Sequence, residues 1–229
     1  RLTLPAEWIA DNYRTVVEHA NIAAGLLNGM LIGGVVVAVA LLLASVASFY
    51  LARSKTRLAQ YLYALFIAGL IIPIAILPTY FLFLQLGLNN TYVGLIAIFA
   101  TYALPLSIFL FTSFIKTIPT SLDEAATIDG CGPTRVFLYA IMPLLKPVSM
   151  TIAVFAFLFV WNESGLYLYF ANSQKWPLPM GIYEFFGRYN QSWNLAFADI
   201  VVGILPCLLI FIVGQKFMVS GLTAGAVKG

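Results

Sequence analysis

Two long stretches of this chain carry no charge. No Lys, Arg, Asp or Glu occurs between Glu18 and Arg53, and none between Arg57 and Lys116. A helix needs about 20 mostly apolar residues to cross the hydrocarbon of a bilayer. The first stretch therefore holds one span, from Ala24 to about Tyr50. The second is too long for one crossing and holds two, with a turn at Gly87-Leu88-Asn89-Asn90. A fourth span runs from near Val148 to Phe170 and a fifth from Ala196 to Phe217. Composition agrees: 62% of the residues are apolar and 9% are charged, with a mean hydropathy of +0.95. Soluble domains are about 25% charged. So few charges cannot clothe a surface in water, so lipid must cover it. The fold class is all-α, a polytopic membrane protein with five spans.

The charges between the spans give direction. Arg53, Lys55 and Arg57 share one linker, Lys116, Arg135 and Lys146 the next, and Lys216 and Lys228 the tail, together eight of the 12 Lys and Arg. The positive-inside rule places these linkers and the C-terminus in the cytoplasm. Three regions follow: an external amphipathic segment 1–23, a membrane domain 24–218 containing a cytoplasmic loop 117–147, and a cytoplasmic tail 219–229. The chain begins with Arg1 and not Met, and it starts outside, so a preceding span is expected to be missing from it. Within the first segment, Trp8, Ile9, Tyr13, Val16 and Val17 among polar residues read as a short helix lying on the membrane surface. Ala171 to Asn194 is rich in Trp, Tyr and Phe, read either as an interfacial belt or as a surface that meets a docking protein or a sugar.

Loop 117–147 is the most informative segment. Ser121 and Glu124 form an S-x-x-E capping box, in which the hydroxyl takes the Glu124 amide and the carboxylate returns to the Ser121 amide. Asp123 and Glu124 sit at the positive end of the helix dipole. Leu122, Ala125 and Ile128 share one face. Gly130 and Gly132 stop the helix, and Pro133 prevents its return. The expectation is a capped helix of about two turns, exposed between the third and fourth spans and shaped to fit a groove on a soluble partner.

Glu124-Ala125-Ala126, then Asp129-Gly130, then Pro143 resembles the EAA loop of ABC-importer permease subunits. The ending departs from that family's Ile-x-Leu-Pro, reading Ala140-Ile141-Met142-Pro143, yet stays apolar. Further likeness lies in Asn12-Tyr13, Asn28, the span with Pro73 and Pro78, the segment Leu86 to Tyr92, Ile118-Pro119, Trp161-Asn162-Glu163 and the ending Gly221 to Gly229. These resemble the carbohydrate-uptake branch, in particular its second, maltose-type permease subunit. The resemblance implies six spans in the family and a coupling helix that docks on an ATPase, carried here by Ser121, Asp123, Glu124, Ala125, Ala126, Asp129, Gly130 and Pro143. It also implies a second permease subunit, two ATP-binding subunits that hold ATP and Mg, and an external sugar-binding protein. The setting would be the bacterial or archaeal inner membrane.

Substrate-pathway candidates are Asn162, Glu163, Tyr102 and Tyr167. An ionisable group within a span usually faces a cavity or a partner, so Glu163 with Asn162 reads either as pathway lining or as hydrogen bonding between helices. Tyr80, Tyr102, Tyr167 and Tyr169 offer flat rings and hydroxyls that suit sugars, but tyrosines are also common at interfaces. Asp199 reads as a solvated helix start. Pro73, Pro78 and Pro105 mark either a hinged, broken path or static kinks. Cys131 and Cys207 lie in different settings, so no disulfide is expected. With His19 the only His, no metal site is expected, and a net charge of +3 gives no basis for a nucleic-acid partner. There is no G-x-x-x-x-G-K-[ST], nucleophile elbow or HExxH, so neither a cofactor nor covalent chemistry is expected, and energy must enter from other subunits. The competing functions are an ion-gradient-driven sugar carrier using Glu163 and Asp199, and a non-transporting scaffold.

Overall fold

The structure is a computed structural model that describes residues 11–19, 22–73, 75–185 and 192–226. Every regular element among them is helical: α1 (Asp11–His19), α2 (Ile22–Arg53), α3 (Arg57–Ile71), α4 (Ile76–Gln85), α5 (Tyr92–Thr117), α6 (Ser121–Ile128), α7 (Pro133–Arg135), α8 (Lys146–Asn162), α9 (Ser164–Phe170), α10 (Ile182–Phe185) and α11 (Trp193–Ala226). Four helical runs are long and apolar enough to span a membrane: Ile22–Arg53, Tyr92–Thr117, Pro133–Asn162 and Trp193–Ile212. A fifth candidate is the pair α3 and α4, which is bent by 110°.

That bend falls where Pro73 and Pro78 mark an interruption of the second span. Ile72, ahead of Pro73, is extended at φ −70 and ψ 123, because the proline ring crowds the helical conformation of the residue before it. Pro78 lies in the first turn of α4, where its missing amide costs nothing. Pro105, by contrast, lies inside an unbroken α5. The Gly87 to Asn90 turn forms as expected, with φ of 66 at Gly87 and 58 at Asn90, values that Gly and Asn tolerate.

Packing begins with α2. Its buried residues are mostly small, among them Gly25, Gly29, Gly33, Ala40, Ala44 and Ser48, while Leu27, Leu31, Leu42 and Val46 face outward. Lipid tails are as apolar as leucine, so helices associate in a bilayer by close contact and polar bonds, and small residues permit that contact. A Cβ on Gly29 would lie 2.5 Å from the Trp161 ring, and one on Gly33 2.9 Å from Phe157. Trp161 also donates its indole N–H to the Gly203 carbonyl at 3.1 Å, so one ring joins α2, α8 and α11. Ser48 donates to the Ile108 carbonyl at 3.2 Å and ties α2 to α5. Two large buried clusters form beside a smaller one around Phe157 and Trp161. One surrounds Ile32, Leu95, Phe99 and Phe170, and the other Ile108, Phe111, Ile115, Phe137 and Ile141.

The fourth span differs from expectation at both ends. Its helical run begins at Pro133 and stops at Asn162, where Glu163 turns extended at φ −79 and ψ 95. Pro133 starts this run at its first position, so it initiates a helix rather than preventing one. Between α7 and α8 the winding changes to a π-helical turn (Val136–Ile141) and then a 3-10 turn (Met142–Leu145). Pro143 and Pro147 each lack an amide and crowd the carbonyl four residues back. A wider turn followed by a tighter one lets the chain continue past both.

At the opposite end, α1 does not lie free on the membrane: Val16 is buried against Ala198 of α11. Trp8 and Ile9 fall outside the described residues. The aromatic segment folds back as 3-10 turns Ser173–Lys175 and Leu178–Gly181 followed by α10. Asp199 corrects a further expectation. It is fully buried, with Gly181 beside its carboxylate, and is not a solvated helix start. Helix α11 continues without a break through position 218 to Ala226.

Candidate coupling site

Helix α6 forms as eight residues, the two turns expected, but it starts differently. Thr120, not Ser121, occupies the N-cap position, at φ −67 and ψ −20, and makes no side-chain cap bond. Because Thr120 is already helical, backbone carbonyls meet the first amides: Leu122 donates to Pro119 at 3.3 Å, and Asp123 and Glu124 donate to Thr120 at 3.0 and 3.1 Å. This replaces the capping box expected from Ser121 and Glu124, and leaves the Glu124 side chain exposed.

The C-terminus closes as a Schellman motif. The Gly130 amide donates to Thr127 at 3.0 Å and the Cys131 amide to Ala126 at 2.9 Å. Gly130 has φ of 82, a left-handed value that costs any residue with a Cβ about 1–2 kcal/mol. Ala126 and Cys131 pack together on the inner cluster, as this motif favours.

No residue of α6 is buried, and only Asp123 and Ala126 are half-covered. Leu122, at 44% exposure, and Ile128, at 86%, point away from the body. Asp123 is held by Arg53 at the end of α2: the guanidinium Nη2 lies 3.3 Å from Oδ1 and Nε lies 2.5 Å from Oδ2. Asp129 is exposed at the end of the helix. Pro143 is not part of this surface. It lies in the 3-10 turn, beside a groove of about 900 Å³ between α2 and the start of α8, with Leu41, Phe111, Phe137 and Met150.

Among the described residues, the four pathway candidates have different surroundings. Tyr102 is half-buried and borders a space of about 210 Å³ between α5 and α8, with Ser107, Phe155 and Phe159. Tyr167 is fully buried, its ring centroid 4.8 Å from that of Phe99. It packs as a core residue within this chain. Glu163 begins α9, accepting the Leu166 amide at 3.2 Å, which joins α8 to α9. Asn162 donates to the Leu158 carbonyl of its own helix at 2.8 Å. Both cysteines are free.

Two polar residues prove central that the sequence did not mark as such. Arg53 stood out only as one of several cytoplasmic charges. Asn28 binds three groups at the other end of the molecule, accepting from the Tyr92 hydroxyl at 2.8 Å and donating to the Gln174 and Trp176 carbonyls at 2.9 and 3.2 Å. The available signal was an isolated Asn within an apolar helix, since a buried amide in a span needs partners. The partners themselves lie far away in the chain.

Comparison with known proteins bears on this arrangement. Residues 37–220 match the family described as "Binding-protein-dependent transport system inner membrane component". The melibiose/raffinose/stachyose import permease MelC of Bacillus subtilis is 34% identical, over 98% of this chain and 83% of the relative. The probable starch degradation products transport system permease AmyC of Thermoanaerobacterium thermosulfurigenes is 32% identical, over 99% and 84%. Among solved structures, a bacterial ABC transporter involved in the import of the acidic polysaccharide alginate superposes with a TM-score of 0.80 at 20% identity, over 93% of this chain and 81% of that one. The MetNI methionine ABC transporter superposes with a TM-score of 0.67 at 15% identity, over 87% and 95%. At those identities the likeness shows a shared fold. A carrier that works alone on an ion gradient is not what these relatives are, and Glu163 serves as a helix cap. The chain belongs to the binding-protein-dependent transport system inner membrane components, as a multi-pass permease subunit of an ABC importer that works with other ABC subunits.

Proposed function

We propose that this permease carries an oligosaccharide across a bacterial or archaeal inner membrane, and that α6 is the helix through which ATP hydrolysis elsewhere drives it. The reading has it paired with a second permease subunit, two ATP-binding subunits and an external sugar-binding protein. The substrates for which relatives are named support the sugar: melibiose, raffinose and stachyose, starch degradation products, and diacetylchitobiose. ATP and Mg belong to the partner subunits, and this chain holds no cofactor. Lys116, Arg135 and Lys146 flank α6, and Arg53, at the start of the linker that also holds Lys55 and Arg57, meets its first turn; this cluster of cations supports a cytoplasmic position for α6 and, through α11, for the C-terminus.

The observation that carries the reading is the bare apolar face of α6. Ile128 is 86% exposed on a polar loop where none of the described residues covers it. Leu122, Ala125 and Ile128 would enter a groove of an ATP-binding subunit, and Glu124 would meet a cation at its rim. A docked helix shifts the equilibrium between outward- and inward-open spans only if it is held differently in the two. The experiment is Glu124→Lys in the assembled complex in proteoliposomes, a surface change that leaves the fold within about 0.5 kcal/mol. Sugar uptake and binding-protein-stimulated ATP hydrolysis should both fall. Wild-type values for both overturn the coupling role.

A further inference from the structure

Helix α6 has little grip on the body of the protein. Six of its eight side chains are exposed, and Ala126 supplies only a methyl group. Its ends are an Ile118-Pro119 corner and a glycine pair, Gly130 and Gly132. Among the described residues, the remaining side-chain link is Arg53. Its side chain is only 16% exposed, and that of Asp123 only 20%. The same guanidinium donates through Nη1 to the Ile115 carbonyl at 3.3 Å and the Ile118 carbonyl at 3.1 Å. One planar group thus holds three elements: the end of α2, the carbonyl end of α5 and the first turn of α6. Each contact has the favourable sign, because a cation sits at the negative end of α5 and an acid in the first turn of α6. A guanidinium fork suits this bridge, whereas a lysine ammonium is a point charge that cannot span it.

We infer that Arg53 is a positioning residue for energy coupling: it clamps α6 to α2 and α5, so that a push on α6 moves the spans instead of being absorbed at Gly130 and Gly132. The inference rests on the coupling role of α6. Without the clamp, a partner could still seat α6 and hydrolyse ATP, but the displacement would be spent on the loop.

The test uses the whole complex with its binding protein in proteoliposomes and measures sugar transported per ATP hydrolysed. Arg53→Gln and Asp123→Asn should each lower that ratio about five-fold, the low end of usual coupling strengths, with ATP hydrolysis largely retained. The double variant should be no worse than either single one, since both remove the same pair. An unchanged ratio overturns the inference. So does a parallel fall in uptake and hydrolysis, which marks a structural role only, and so does additive loss in the double variant. Should Arg53→Gln fail to assemble, the isosteric Asp123→Asn decides alone. Glu124→Lys, measured alongside, separates the two readings. If it abolishes stimulated hydrolysis while the Arg53 and Asp123 variants keep a normal ratio, the clamp fails and the coupling helix stands. If it too behaves as wild type, the coupling helix itself fails.

Discussion

The two ends of this permease are held together in opposite ways. At the end formed by α9 and the turns before α10, many bonds, most of them between neutral groups, share the work. Asn28 holds two carbonyls and a tyrosine hydroxyl. The Asn90 amide donates to Phe170 at 3.0 Å, and its side chain accepts the Asn172 amide at 3.1 Å. Trp176 donates its indole N–H to Ala171 at 3.3 Å, and Lys175 lies 5.7 Å from the Tyr92 ring centre. At the other end α6 hangs from one charged fork and one methyl group. Distributed bonds make a surface that keeps its shape, whereas a single joint on a bare helix makes a part that can be gripped from outside and moved.

Substitutions can break that contrast. The largest effect is expected from Trp161→Ala, which removes the ring joining α2, α8 and α11. It should cost about 3–5 kcal/mol, read as a large fall in the thermal midpoint in detergent. Asn28→Leu should follow, because it leaves two carbonyls and a hydroxyl without their partner, at about 1–3 kcal/mol for each group that stays dry. Tyr92→Phe sharpens the point by removing a single bond, worth about 1 kcal/mol. If Asn28→Leu and Tyr92→Phe proved equal in the same melt, the three-way hub would be refuted. Gly130→Ala should cost about 1–2 kcal/mol through its left-handed φ, while Gly132→Ala, at φ −72, should be far milder. Equal effects of the two would show that the Schellman closure is not what ends α6. The smallest stability change should come from Ile128→Ser, within about 0.5 kcal/mol, even though it should weaken co-purification of the ATP-binding subunits. A large loss of thermal stability would mean that Ile128 is covered by its own chain.

Features set by neighbours in the chain were legible. The uncharged stretches mark the spans, Gly87 and Asn90 mark a turn, and the Gly130 stop forms at the expected residue. Misreadings arose where a local rule had two outcomes. Ser121 and Glu124 satisfy the pattern of a capping box, but Pro119 and Thr120 already supply carbonyls one turn earlier. Pro133 can stop a helix or begin one, and only the packing of the following run against α2 and α5 favours the second. Tyr167 offers the same hydroxyl on a path or in a core, and its contact with Phe99 comes from a helix about seventy residues earlier.

The amino-acid sequence by itself determined that this chain lives in lipid, and that α6 is short and closed at Gly130. Those are questions of transfer energy and backbone conformation, settled within a turn or two of each residue. Tertiary structure alone decided that Arg53 meets Asp123, 70 positions away, that Asn28 gathers a loop from the other half of the chain, and that Asp199 is dry. A charge or an amide in a membrane protein must find a partner, but which partner depends on how the helices pack, and that is set by the whole surface of each helix at once.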